Sequence, residues 1–148
     1  MRVIDSHTEG EPTRVVISGG PDLGGGDLQR QLAVFARDFD HIRRSLILEP
    51  RGSAALVGAL LCPPTHPECA SGVIFFNNAG FLGMCGHGSL GVAVTLAHLG
   101  RVHAARLKLE TPVGIVSLEM HGPNEVTLQN VPSFRHMADV TVSIDGYP

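Results

Sequence analysis

Cys85 is the residue whose neighbours best suit it to chemistry, and it lies in the run Met84-Cys85-Gly86-His87-Gly88. The apolar segment at residues 86–99 predicts a helix, so Cys85 is expected at a helix N-terminus. The first N–H groups of a helix lack intrahelical partners and together carry roughly half a positive charge, which attracts carboxylates and phosphates. Gly86 and Gly88 have no side chains, so a ligand can approach these N–H groups closely. The run therefore predicts an anion site beside a sulfur.

The same helix end is expected to activate the thiol of Cys85. Helix N-termini can lower the pKa of a cysteine to about 3.5–7.5, against about 8.5 for the free thiol. His87 either hydrogen-bonds a bound substrate or polarises the thiol. A thiolate base beside a carboxylate site suits removal of the α-proton from a free amino acid. Inversion of that carbon needs a second acid on the opposite face, and the sequence offers no obvious second one.

Two helical segments and several short strands must position this site. Asp27 caps an amphipathic helix with an apolar stripe, formed by Leu28, Leu32, Phe35, Phe39 and Ile42. The expected solvated face of this helix carries Arg30, Arg37, Asp38 and Arg43. The helix at 86–99 is apolar on nearly every side and is therefore expected to be buried.

Strands are predicted where β-branched and alternating apolar residues lie between breakers. They cover residues 2–7, 13–18, 54–61, 73–76, 105–110, 114–119 and 125–130, with a further candidate at 140–144. A glycine-containing loop at 77–83 leads to Cys85. The pattern predicts an α+β fold in which mostly antiparallel strands wrap one central hydrophobic helix, with the amphipathic helix outside.

Composition bounds the class of protein. The chain has 148 residues, 43% hydrophobic and 17% charged, which suits one domain with a real core. A net charge of −3 with 11 Lys and Arg argues against a nucleic-acid surface. No signal peptide and no stretch of membrane-spanning length is found. Three cysteines, an odd and small number, do not indicate a disulfide framework. A reduced, cytoplasmic setting is therefore expected.

Other groupings favour structural roles. Cys62, His66 and Cys69 could be zinc ligands, but a fourth ligand is missing and the spacing fits no common zinc finger. The glycines at 24–26 lack the Lys-Ser/Thr ending of a phosphate loop and favour a plain turn. For Cys85 the alternative is a buried inert cysteine, and for His87 a helix-capping histidine.

Six runs along the chain carry a resemblance to a known family. They are DSHTEGEPTR at 5–14, EPRG at 49–52, FFNN at 75–78, MCGHG at 84–88, ETPVG at 110–114 and NVPS at 130–133. On these runs the sequence resembles the proline racemase and 4-hydroxyproline epimerase family over essentially all 148 residues. The FFNN run and the GGPDLG loop at 19–24 are most similar to the hydroxyproline 2-epimerase branch.

The resemblance implies an enzyme that needs no cofactor, neither pyridoxal phosphate nor a metal. It implies two pseudo-symmetric lobes of the diaminopimelate-epimerase type, each a curved sheet around a central helix. A small imino acid, hydroxyproline or proline, would bind between them, and each lobe would give one catalytic cysteine. Carried over, Cys85 is the first-lobe acid/base. Gly86 and His87 bind substrate, with backbone N–H groups on the carboxylate and His87 near the ring nitrogen.

The resemblance covers one lobe only, so residues 1–148 are interpreted as a single N-terminal lobe whose second lobe is absent. Either the chain is truncated or a second chain completes the site. An apolar inter-lobe face would also favour a homo-oligomer. Two alternatives to a hydroxyproline 2-epimerase stay open: a trans-3-hydroxyproline dehydratase, which keeps the first cysteine, and an incomplete fragment with only a binding or scaffold role.

Overall fold

The computed structural model describes residues 1–146 and contains one eight-stranded sheet with three helices. The strands are β1 (Arg2–Thr8), β2 (Glu11–Ser18), β3 (Val57–Cys62), β4 (Ser71–Phe76), β5 (Phe81–Leu82), β6 (Arg106–Thr111), β7 (Gly114–Met120) and β8 (Val126–Gln129). The helices are α1 (Leu28–Asp38), α2 (Asp40–Ile47) and α3 (Gly86–His98).

The sheet follows the order β1-β2-β3-β4-β6-β7-β8, with β5 added on β4. The pairs β2–β3 and β4–β6 are parallel, and the other pairs are antiparallel. A parallel pair needs a long crossover connection. Helices α1 and α2 lie in the first crossover and α3 lies in the second.

The central strands are apolar on both faces, and each face has its own helices. Side chains alternate along a strand, so neighbouring residues point to opposite sides. On the inner face Val15, Ala59, Val73 and Phe75 pack with Val92, Ala93 and Leu96 of α3. On the outer face Val16, Leu60, Ile74 and Phe76 pack with Leu28, Phe35 and Ile47 of α1 and α2. The predicted α+β fold, a curved sheet around a central hydrophobic helix, is confirmed.

Helix α3 is not buried on every side, which corrects one sequence-based expectation. Leu90 and Val94 are only half-buried. They line a cavity of about 520 Å³ together with residues 6–9 of the first hairpin and residues 124–126 near β8. The curved sheet therefore leaves one stripe of the helix uncovered, between β1 and β8.

The predicted amphipathic helix is two helices. Phe39, with φ −127° and ψ 18°, leaves helical geometry, while its N–H donates to the Phe35 carbonyl and closes α1. Helix α2 starts at Asp40 with a changed phase. Arg43, expected on the solvated face, is consequently buried at 8% exposure.

Three other expectations differ from the structure. Residues 54–56 lie outside β3, which starts at Val57, and the predicted loop at 77–83 contains the short strand β5. Residues 140–144 form no strand, because their alternating apolar side chains find no described strand to pair with. The sequence at 144–148 has the composition of a linker, and its residues 147 and 148 lie outside the described residues. Within residues 1–146, no helix has the length and apolarity to cross a membrane.

Candidate active site

Cys85 occupies the N-cap position of α3. Its backbone is extended, with φ −141° and ψ 121°. Its carbonyl accepts hydrogen bonds from the N–H of Ser89 at 3.0 Å and from the Ser89 hydroxyl at 2.8 Å. These two bonds fix the backbone where the chain enters the helix. The thiol is free and half-buried, at the rim of the inner core.

The first turn of α3 presents backbone N–H groups of Gly86, His87 and Gly88, which have no intrahelical acceptor. The two glycines in this turn differ in their surroundings. A Cβ at Gly88 would lie 2.9 Å from the Phe75 ring and 3.2 Å from the Cys85 sulfur. A Cβ at Gly86 would meet only Leu128, at 3.9 Å. Packing therefore requires glycine at 88 but not at 86, where a small anion has room to approach the N–H groups.

His87 faces the thiol with one ring nitrogen and the protein interior with the other. Its Nδ1 lies 3.6 Å from the Cys85 sulfur. Its Nε2 is buried and has no hydrogen-bond partner within residues 1–146. The Thr8 hydroxyl donates to the His87 carbonyl at 3.2 Å, tying the end of β1 to the helix. The geometry brings Cys85, Gly86 and His87 together at one helix end.

The pKa of the Cys85 thiol lies above its ordinary value, opposite to the sequence-based expectation. Burial raises this pKa, while the Gly88 backbone N–H acts in the lowering direction and is outweighed. That N–H does not reach the geometry of a capping hydrogen bond. Because the protonated thiol is favoured at neutral pH, Cys85 is held in the form that donates a proton.

The other two cysteines lie elsewhere. Cys62 ends β3 and pairs in register with Gly72, at the opposite end of β4 from the loop that leads to Cys85. Both Cys62 and Cys69 are buried and free. Burial, and secondarily the negative charge of Glu110, raises the pKa of Cys62 to about 12. Cys62 is thus an unreactive thiol, and neither cysteine reaches the site.

The sequence did not point to Thr8 or Ser89 as parts of this site. Thr8 lies in one of the matching runs, which is the only signal that could have singled it out. Its contact with His87 joins positions 79 residues apart. Sequence spacing predicts contacts only between residues close along the chain, so it could not predict this one. The Ser89 hydroxyl bond back to Cys85 follows the i−4 pattern common for serine in helices.

Fold and site together define a class of chain: an α+β lobe whose central helix presents a cysteine at its N-terminus. A model of the proline racemase family ("Proline racemase") matches residues 3–147. The chain therefore belongs to the proline racemase family, and the resemblance seen in the sequence is confirmed.

Relatives extend this result. A protein of Burkholderia pseudomallei (strain K96243) named 4-hydroxyproline epimerase is 54% identical over 147 residues, covering 99% of this chain and 47% of the relative. The crystal structure of a probable proline racemase from Agrobacterium radiobacter K84, with bound carbonate, is 31% identical with a TM-score of 0.87. That of a hydroxyproline epimerase from Agrobacterium vitis, with bound trans-4-hydroxy-L-proline, is 28% identical with a TM-score of 0.88. Both alignments cover 97% of this chain and 45% of the other. The chain thus spans about half the length of the relatives it matches.

Proposed function

We propose that this chain is the first lobe of a cofactor-independent 4-hydroxyproline 2-epimerase, in which Cys85 exchanges the α-proton of the imino acid. One observation carries the proposal: the Cys85 thiol and the open N–H groups of Gly86 and His87 lie at the same helix end. The 54% identity to a protein named 4-hydroxyproline epimerase supports this substrate class.

The helix end would receive the substrate carboxylate. The N–H groups of Gly86 and His87 would donate to its oxygens, and the partial positive charge of the helix end would stabilise the charge that develops when Cα loses its proton. The uncovered space at Gly86 supports this arrangement. The carboxylate would then hold Cα near the Cys85 sulfur.

One tautomer of His87 serves both roles considered for it. With the proton on Nδ1, the ring donates toward the Cys85 sulfur, and Nε2 is left as an acceptor. Nε2 is buried and unpartnered within residues 1–146, so a local opening around it would let it accept from an N–H of the protonated ring amine of the substrate. His87 would thereby orient both the thiol and the imino acid.

Inversion at Cα requires two groups on opposite faces. In one direction the Cys85 thiol gives its proton to the planar carbanion after another base has removed the α-proton. In the other direction the Cys85 thiolate takes the α-proton and becomes the thiol. The raised pKa of Cys85 suits the donating step. The second base would come from the half of the relatives that this chain does not span, as a second lobe or a second chain.

A chimera tests the proposal by joining residues 1–146 to the remaining half of the Burkholderia pseudomallei relative. In deuterated water with trans-4-hydroxy-L-proline, we expect inversion by optical rotation and deuterium at Cα by NMR. Cys85→Ser should reduce both rates by roughly 10²–10⁴-fold, the usual contribution of a general acid or base. Cys62→Ser, far from the site, is the matched control and should keep full activity. The 148-residue chain alone should exchange little.

Three outcomes would contradict the proposal. Brisk exchange by the isolated chain would remove the need for a second half. A folded chimera whose rate is indifferent to Cys85→Ser would remove Cys85 from the chemistry. Pyrroline formation from trans-3-hydroxyproline, without inversion of the 4-isomer, would assign the lobe to a dehydratase.

A further inference from the structure

Arg43 is a buried cation on α2 whose contacts reach away from its own helix. Its Nη1 donates to the carbonyl of Asn77 at 2.7 Å and to that of Asn78 at 3.2 Å. Its Nε and Nη2 pair with the carboxylate of Asp40 at 2.5 and 3.3 Å. The guanidinium carbon also lies 5.7 Å from the centre of the Phe81 ring. A planar guanidinium can serve two carbonyls, a carboxylate and a ring face at once.

The segment that Arg43 holds is the turn at residues 77–80, between β4 and β5. The Asn77 side-chain oxygen accepts from the N–H groups of Ala79 and Gly80, both at 3.0 Å. The Asn77 N–H donates to the Gly80 carbonyl at 2.8 Å. The turn therefore satisfies the N–H groups of residues 77, 79 and 80 by itself, while its carbonyls at 77 and 78 accept from Arg43.

This turn determines where the chain goes next. It is followed by β5, only two residues long, in which Phe81 pairs with Phe76 and Leu82 with Phe75. Two residues, Gly83 and Met84, separate β5 from Cys85. Phe75 also packs against Gly88 in the first turn of α3. The approach to Cys85 is thus fixed by β4 on one side and by the turn that Arg43 clamps on the other.

We propose that Arg43 is a positioning residue for Cys85, acting through the 77–80 turn and β5. It does not touch the reacting atoms. It sets how deeply the sulfur sits at the rim of the core, beside the ring of His87. The catalytic meaning of this placement rests on the proposed function, whereas the placement itself is a property of this chain.

Alkylation of the 148-residue chain by iodoacetamide, resolved by peptide mass spectrometry over a pH series, tests the proposal. Arg43→Met keeps an apolar stem and removes both carbonyl contacts, so the turn loosens and water reaches the sulfur. We expect the pH midpoint for Cys85 to fall by about half a unit and its rate below the midpoint to rise roughly threefold. Arg43→Lys, which keeps the charge, should lie between Arg43→Met and the parent.

Matched variants separate positioning from general stabilisation. Arg37→Met removes an exposed arginine paired with Asp38 on α1 and should leave the Cys85 profile unchanged. Cys62 and Cys69, in the same sample, should keep their slow alkylation rates.

If Arg43→Met fails to fold, substitutions at Asn77 test the 77–80 turn directly. Asn77→Leu loses the two turn acceptor bonds and should reproduce the shift, while Asn77→Asp keeps an acceptor and should behave like the parent.

Two results would overturn the proposal. One is a lower melting temperature for Arg43→Met and Asn77→Leu with an unchanged pH profile at Cys85, which would make Arg43 purely structural. The other is equal acceleration of all three thiols, which would indicate general loosening. Neither result depends on the epimerase assay of the chimera, so failure of the proposed function and failure of this inference can be told apart.

Discussion

Two glycines in the first turn of α3 are expected to serve different purposes: Gly88 allows close packing against Phe75, and Gly86 leaves room for a ligand. Gly88→Ala places a methyl group 2.9 Å from the Phe75 ring, so we expect a loss of about 1–3 kcal/mol in the free energy of unfolding. Gly86→Ala has open space and should change stability by less than about 0.5 kcal/mol. Urea denaturation of the 148-residue chain measures both.

In the active chimera, Gly86→Ala should raise KM for trans-4-hydroxy-L-proline, because the methyl group obstructs approach to the N–H groups. A Gly86→Ala variant that destabilises the chain as much as Gly88→Ala would show that packing, not ligand approach, explains the glycine at 86.

The sequence predicted the grouping of Cys85, Gly86 and His87 because three successive residues at a helix start cannot avoid one another. It did not predict the raised pKa of Cys85, since helix position is local whereas burial depends on the whole inner core. It also placed Arg43 on the solvated face. That prediction assumed one continuous helix, whereas the break at Phe39 changes which side of α2 faces the sheet.

At the scale of elements, the loop between β3 and β4 depends on one buried carboxylate. Glu110 on β6 accepts hydrogen bonds from the Thr65 N–H at 2.7 Å, the Thr65 hydroxyl at 2.6 Å and the His66 N–H at 3.2 Å. Burial acts to raise the pKa of Glu110, but these bonds outweigh it and the pKa is lowered. The folded state therefore favours the carboxylate.

Glu110→Gln should reduce the free energy of unfolding by about 1.5–3 kcal/mol at neutral pH, the usual value of hydrogen bonds to a charged group. Because the folded-state pKa lies below the unfolded one, this stability is present above the unfolded pKa of about 4.3. It is lost as the pH falls through the folded-state pKa, so the difference between parent and variant should shrink there.

Glu68→Gln is the control for this substitution, since Glu68 is an exposed partner of Lys108 and should leave stability nearly unchanged. A parent–variant difference for Glu110→Gln that stays constant down to low pH would contradict a role for the charged carboxylate. Chemical denaturation at a series of pH values provides the measurement.

Element prediction succeeded where pattern and partner agree. Strand β2 and the strands β6 to β8 have alternating apolar residues, and the structure supplies neighbours for all of them. Strand β5 has only two residues, too few for an alternation of apolar and polar side chains to be recognised in the sequence. Residues 140–144 have the pattern of a strand, but a strand also needs an edge to pair with, and pairing is a property of the fold.

For the whole molecule, residues 133–146 are exposed and form no helix or strand. They carry apolar side chains at high exposure, including Phe134 at 84% and Val142 at 71%.

A chain ending after Pro132 should keep its melting temperature, because little of the deleted segment contributes to the core. Exposed apolar side chains favour association where they gather into one patch. The shortened chain should therefore self-associate less than the parent in sedimentation experiments over a concentration series.

A matched variant with Phe134→Ser and Val142→Ser in the full chain should likewise reduce association without changing the fold. If the shortened chain melts well below the parent, the segment packs on the lobe and this interpretation is wrong. The homo-oligomer expected from the sequence stays a prediction until that series is measured.

The placement of α3 in the connection between the parallel strands β4 and β6 has a consequence for synthesis of the chain. Part of the apolar surface that packs on α3 comes later in the sequence, from Val126 and Leu128 on β8. On the ribosome, the segment with Cys85 emerges before the strands that bury its helix. The nascent thiol should therefore stay open to oxidants until β8 has left the exit tunnel and packed on the helix.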